Sequence, residues 1–216
     1  MSSGPNWPPA TGGGLDELAT RLARLAPSCG PVRLVGVDGH AGSGKSTLAA
    51  RLSALTGGAP VLHLDDVASH DELFSWLPRL TEQVLDPLSE GREARYEVYD
   101  WSNRTASGTR PLPPAPLILV EGVGAGRRAL RPHLAAVLWS ELPRKTAWER
   151  GRHRDGPELA DFWQIWMAAE EAHFHSDPTR PHAHWLVRQS PEGRVGFRVF
   201  PGPAGHPRQQ VAPDAP

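Results

Sequence analysis

The run Gly39-His40-Ala41-Gly42-Ser43-Gly44-Lys45-Ser46-Thr47 has the residue types and spacing that bind phosphate, G-x-x-x-x-G-K-S. Glycines at 39, 42 and 44 can take backbone angles closed to other residues, so successive amides can converge on an anion. A helix starting at Lys45 would aim the positive end of its dipole at the same point. Lys45 would reach the β- and γ-phosphates, and the Ser46 hydroxyl would sit on Mg²⁺. The pattern implies a nucleoside triphosphate, read as ATP with Mg²⁺.

Moving a phosphoryl group needs more than a cradle. It needs a carboxylate for the incoming hydroxyl, further metal ligands, and cations for the charge in transit. Glu121 closes the apolar run Leu117–Val120, where a carboxylate can meet Mg²⁺ directly or through water. Asp65 and Asp66 follow the apolar run 61–64. One of them can accept a hydroxyl proton while the other caps or turns the chain; Asp65 is taken as the base. Arg150 and Arg154 are four apart and share a helix face, with Arg152 pointing away and Arg144 a further candidate. A mobile lid over about 150–177 would carry these arginines and exclude water, with Gly151 and Gly156 giving its backbone room to move.

The elements that must position these residues are legible in outline. Apolar residues at 15, 18, 22 and 25 predict a helix ending before Pro27. Strands are predicted at 32–38, 61–64, 117–120, 134–141 and 184–189, with an edge hairpin at 195–200. Helices are predicted over 45–55, 145–154, 158–174 and, interrupted by Pro78 and Pro87, 71–88. Residues 96–101 read as a short extended piece and 111–116 as a stiff connector. Alternating strands and helices predict an α/β three-layer sandwich, a parallel five-stranded sheet covered on both faces, with ligands at the carboxyl ends of the strands. The glycine loop, Asp65, Asp66 and Glu121 all fall at those ends. The domain is expected over 15–200, between disordered tails at 1–14 and 201–216.

Composition narrows the partners. Across 216 residues, 23 Lys and Arg against 24 Asp and Glu leave a net charge of −1, which offers no electrostatic footprint for nucleic acid or an anionic membrane. No apolar run is long enough to span a bilayer. The N-terminus lacks the basic and apolar regions of a signal peptide, and Cys29 stands alone; both predict a cytoplasmic protein. Lysine occurs only at 45 and 145, which sets Lys45 apart. The pairs His173/His175 and His182/His184 invite a metal reading, but residues two apart on a helix diverge and no Cys is near.

Taken together, Val37-Asp38-Gly39 through Thr47, His63-Leu64-Asp65-Asp66, Tyr99-Asp100-Trp101, Leu119-Val120-Glu121-Gly122 and Arg150 through Asp155 resemble the uridine kinase and phosphoribulokinase group of P-loop kinases, over roughly residues 32–190. The resemblance implies that Asp65 is the catalytic base, that Asp66, Tyr99 and Asp100 lie against the acceptor, and that Arg150 and Arg154 hold phosphates. Two departures stand out. Val67-Ala68 replaces the aromatic pair that usually follows the aspartate, and Ser102-Asn103-Arg104 stands where the family carries a base-reading His. An acceptor other than uridine is therefore expected, with Trp101 stacking on it and Arg104 reading a carbonyl or an anion. The expected activity is ATP-dependent phosphorylation of a small hydroxylated, nucleoside-like metabolite. The alternatives are a nucleoside monophosphate kinase using Arg95 or Arg104, and a nucleotide-binding regulator that transfers nothing.

Overall fold

The computed structural model describes residues 13–189 and 196–209. Residues 1–12 and 210–216 of the expected tails, and Val195 of the expected hairpin, lie outside the described residues. The chain opens with α1 (Leu15–Ala23) and β1 (Arg33–Asp38), then α2 (Lys45–Leu55), β2 (Val61–His63) and the short α3 (Leu64–Val67). Next come α4 (Leu77–Leu80), a π-helical turn (Thr81–Leu85) and α5 (Asp86–Ser89), then the antiparallel pair β3 (Ala94–Asp100) and β4 (Thr105–Leu112). The remaining elements are β5 (Leu117–Glu121), β6 (Ala136–Ser140), α6 (Arg144–Asp155), α7 (Ala160–Ser176), β7 (Trp185–Gln189) and β8 (Phe197–Pro201).

The main sheet has the order β2-β5-β1-β6-β7-β8. The first five strands are parallel, as expected, and β8 adds an antiparallel edge to β7. Side chains alternate across each strand, and both faces are buried. Leu34, Leu62, Ile118 and Val120 pack on one face with Trp76, Leu80 and Leu88. Val35, Val37, Leu119 and Leu138 pack on the other with α1 and α2. Helix α2 turns Leu48, Ala49 and Leu52 inward at i, i+1 and i+4. Its two leucines alone contribute about 3–6 kcal/mol, at 1.5–3 kcal/mol for a buried leucine.

Three expectations need correction. The helix placed at 71–88 begins only at Leu77. Pro78 and Pro87 each sit in the first turn of an α segment, where a missing amide costs little, and the widened π turn lies between them. The piece read as extended at 96–101 is one arm of a hairpin outside the main sheet. The second arm, β4, runs through part of the supposed connector. Finally, residues 202–209 do not form a loose tail where they are described: Gly202 and Ala204 donate to His184 and Ala183, and Ala26 donates to Arg208.

Candidate active site

The loop of residues 39–44 joins β1 to α2 and leans on α6. Gly42 has φ 82°, and a Cβ there would lie 2.0 Å from the Ala147 carbonyl and 2.8 Å from the Gly151 nitrogen. Only glycine meets both the angle and the approach. Asp38, fully buried at the end of β1, fixes the loop's entry. It accepts from the Gly39, Gly124 and Gly126 amides at 2.7, 2.9 and 2.9 Å and from the Thr179 hydroxyl at 2.6 Å.

A second buried carboxylate, Glu170 of α7, fixes the loop's middle. Its Oε1 meets His40 Nδ1 at 2.6 Å and the Trp148 indole at 3.0 Å; its Oε2 accepts from the Ala41 amide at 3.0 Å and the Trp166 indole at 3.1 Å. Burial would raise its pKa, but the hydrogen bonds from His40 and Ala41 hold it below the usual value. Neither Glu170 nor its role was anticipated from sequence. The available signal was an acid on the apolar stripe 163-166-170-173, which is the buried face of α7.

Three features of the loop fit a triphosphate. Among the described residues Ser43 Oγ is buried without a hydrogen-bond partner and Lys45 Nζ donates to the His40 carbonyl alone, at 3.1 Å, and the loop lines a cleft of about 440 Å³. Lys45, Ser46, Thr47, Asp65, Glu121, Arg150 and Arg154 all line this cleft. Glu121 pairs with His63 at 2.6 Å and also takes a hydrogen bond from Ser46. Against the cost of burial, these partners and Lys45 keep it ionised, and the same bond raises the pKa of His63. The oxygen donors Ser46 and Glu121 are the types that Mg²⁺ takes.

A second cavity of about 320 Å³ adjoins the first, lined by His70, Trp101, Ser102, Asp155, Leu159, Phe162 and Trp163. Ala41, Asp65, Arg154 and Trp166 line both. Asp65 keeps solvent contact through the cleft, yet the protein around it desolvates it. That desolvation, with Glu121 close by, raises its pKa against the pull of Lys45, His63 and Arg154. Asp66 turns the other way, toward Arg110 Nη1 at 2.5 Å and the Tyr96 hydroxyl at 3.5 Å.

The remaining predicted residues separate. Trp101 lines the ring-walled cavity and donates its indole N–H to the Asp65 carbonyl at 2.8 Å. Tyr99 does not line it and packs behind two residues that do, hydrogen-bonded to His70 and edge-on to Trp101. Asp100 accepts from the Ser102 and Asn103 amides, closing the hairpin turn that Arg104 completes at φ 53°. Arg154 is bound twice to Asp155, which also accepts from Trp163. Arg150 approaches Gln189 at 3.4 Å, while Arg144 lies over Trp148 and pairs with Glu171. Gly151 lies within α6, where the Trp163 ring occupies the space a Cβ would take, 2.3 Å away. Val67 and Ala68 are buried, and the rings that wall the cavity beside Trp101 are those of Phe162, Trp163, Trp166 and His70.

A mainly parallel sheet flanked by helices, with the glycine loop after its central strand, is the α/β fold of P-loop kinases. A possible uridine kinase from Bacillus stearothermophilus superposes with a TM-score of 0.52 and 22% identity, over 69% of this chain and 89% of that one. A protein from Silicibacter sp. TM1040 described as a fructose transport system kinase does so with a TM-score of 0.54 and 22% identity, over 76% and 89%. In sequence, 111 residues are 29% identical to the inorganic pyrophosphatase TTM2 of Arabidopsis thaliana, covering 47% of this chain and only 16% of that protein. No family model matches the chain. No helix among the described residues is long and apolar enough to cross a membrane.

Proposed function

We propose that the chain is an ATP-dependent phosphotransferase acting on a hydroxyl of a small, nucleoside-like acceptor. The observation that carries this reading is the position of Asp65 on the wall shared by two cavities, one with the phosphate loop and one walled by rings. Lys45 and the loop amides hold the triphosphate, and Ser46 with Glu121 holds Mg²⁺. The metal, when bound, screens charge on the β- and γ-phosphates. Asp65 takes the acceptor's proton, and its raised pKa suits a base. Arg150 and Arg154 approach the phosphates from α6, in a lid of α6 and α7 that excludes water when it closes.

The monophosphate-kinase alternative has less support. Arg95 pairs with Glu93 on the exposed arm, and neither Arg95 nor Arg104 lines the ring-walled cavity. The likeness to kinases at 22% identity supports the fold that this reading needs. ATP consumption measured against nucleosides, nucleotides, sugars and amino alcohols is the test. Acceptor-stimulated turnover that disappears in Asp65→Asn is expected; ATP binding with no stimulated turnover by any acceptor would leave a nucleotide-binding regulator instead.

A further inference from the structure

His70 stands in the connection between α3 and α4, a part of the chain with no expected role. It lines the ring-walled cavity. Its ring lies 4.8 Å from Trp101, 5.5 Å from Phe162 and 5.7 Å from Tyr99, centroid to centroid. Its Nδ1 is 3.0 Å from the Tyr99 hydroxyl, and no residue described takes its Nε2.

We propose that His70 selects the acceptor, donating from Nε2–H to a carbonyl oxygen or ring nitrogen on the edge of an uncharged, unsaturated ring that lies against Trp101 and Phe162. The inference rests on reading this cavity as the acceptor site. A phenol is a better donor than an imidazole N–H, so the Tyr99 hydroxyl donates to Nδ1 and leaves the ring proton on Nε2. Burial, and then the nearby Arg104, lower the pKa of His70, which keeps the ring neutral near pH 7. Flat rings stack on Trp101 and Phe162 whatever their substituents; a fixed donor at the edge adds selectivity, because a ligand lacking the acceptor atom leaves that donor unpaired. An anionic ligand is poorly served. Arg154, the one cation lining the cavity among the described residues, also lines the phosphate cleft, and Asp65 and Asp155 both bring carboxylates to the cavity wall.

The test uses the full chain with Mg²⁺–ATP and uridine, cytidine, adenosine, guanosine and ribose as probes. Acceptor binding is read by calorimetry and phosphate transfer by steady-state kinetics. The native protein should bind at least one nucleoside better than ribose. His70→Leu should raise the KM and Kd of that nucleoside about tenfold or more, the size of one lost hydrogen bond, with kcat and the KM for ATP nearly unchanged. His70→Gln, which keeps an N–H donor, should recover part of the loss, and Tyr99→Phe should show an intermediate one. Should His70→Leu fail to fold, as read by its melting curve, His70→Gln and Tyr99→Phe carry the comparison. Transfer with an unchanged acceptor KM in these variants overturns the inference and leaves the kinase reading standing. Nucleoside binding that depends on His70 without any transfer does the reverse. A native protein that binds no nucleoside better than ribose overturns the inference outright.

Discussion

Asp65 and Asp66 share a helix turn and meet different surroundings. Asp66 is spent on Arg110 and Tyr96, so Asp66→Asn should loosen the β3–β4 arm and lower the melting temperature while the chemical step persists. Asp65→Asn should lower transfer by roughly 10²–10⁴-fold, the range of a general base, with ATP affinity changed little. The pH dependence follows from the raised pKa of Asp65. The folded protein binds this proton more tightly than the unfolded chain, so Asp65 favours folding at pH values below its unfolded pKa. That contribution is lost as pH rises through the folded pKa. Asp65→Asn should therefore melt higher than the native protein at neutral pH, and the advantage should vanish in acid. In activity, the acid limb of kcat/KM should lie above about 3.9, the ordinary aspartate value.

At the scale of elements, the contact between α7 and the phosphate loop matters most. Glu170→Ala removes the acceptor of His40, Ala41, Trp148 and Trp166 at once. A single unsatisfied buried donor costs about 1–3 kcal/mol, so a melting shift of at least roughly 2–12 °C is expected at 2–4 °C per kcal/mol. ATP binding should weaken with it, because the Ala41 amide loses its tether; a normal ATP Kd in folded Glu170→Ala would show that the loop holds its shape unaided. Gly151→Ala should push Trp163 off α6 and open the cavity wall, read as increased hydrogen exchange along α7.

Sequence resolved these elements unevenly. The parallel strands were legible because they are unbroken apolar runs, and the loop because its glycines and lysine have fixed spacing. Strand β4 was not: all of it except Leu112 is exposed, so no alternation marks it. His70 and Glu170 were missed because the groups each one meets are distant in the chain. Asp65, Lys45 and Glu121 could be placed because each ends or follows an element that is itself easy to read.

Over the whole molecule, the two faces of the main sheet make one body, and a ligand that binds only the folded form stabilises all of it. Mg²⁺–ATP at about 100 times its Kd should add about 2.7 kcal/mol, or roughly 5–11 °C in melting temperature. Lys45→Ala should abolish that shift while leaving the ligand-free melt nearly unchanged. An equal shift in the variant would move the nucleotide elsewhere.

The β3–β4 arm forms its ladder internally, outside the six-stranded sheet. Beyond the apolar base where Ala94, Tyr96 and Leu112 enter the core, it is tied to α3 by Asp66–Arg110 and by the Trp101 indole on Asp65. It delivers Trp101 to one cavity and touches none of the phosphate loop's hydrogen bonds. On the proposed reading, the arm's share in contacting the acceptor and the handling of nucleotide lie on different stretches of chain. An arm grafted from a homologue would then change the ring that meets His70 and Phe162, and the recipient's ATP affinity would stay its own.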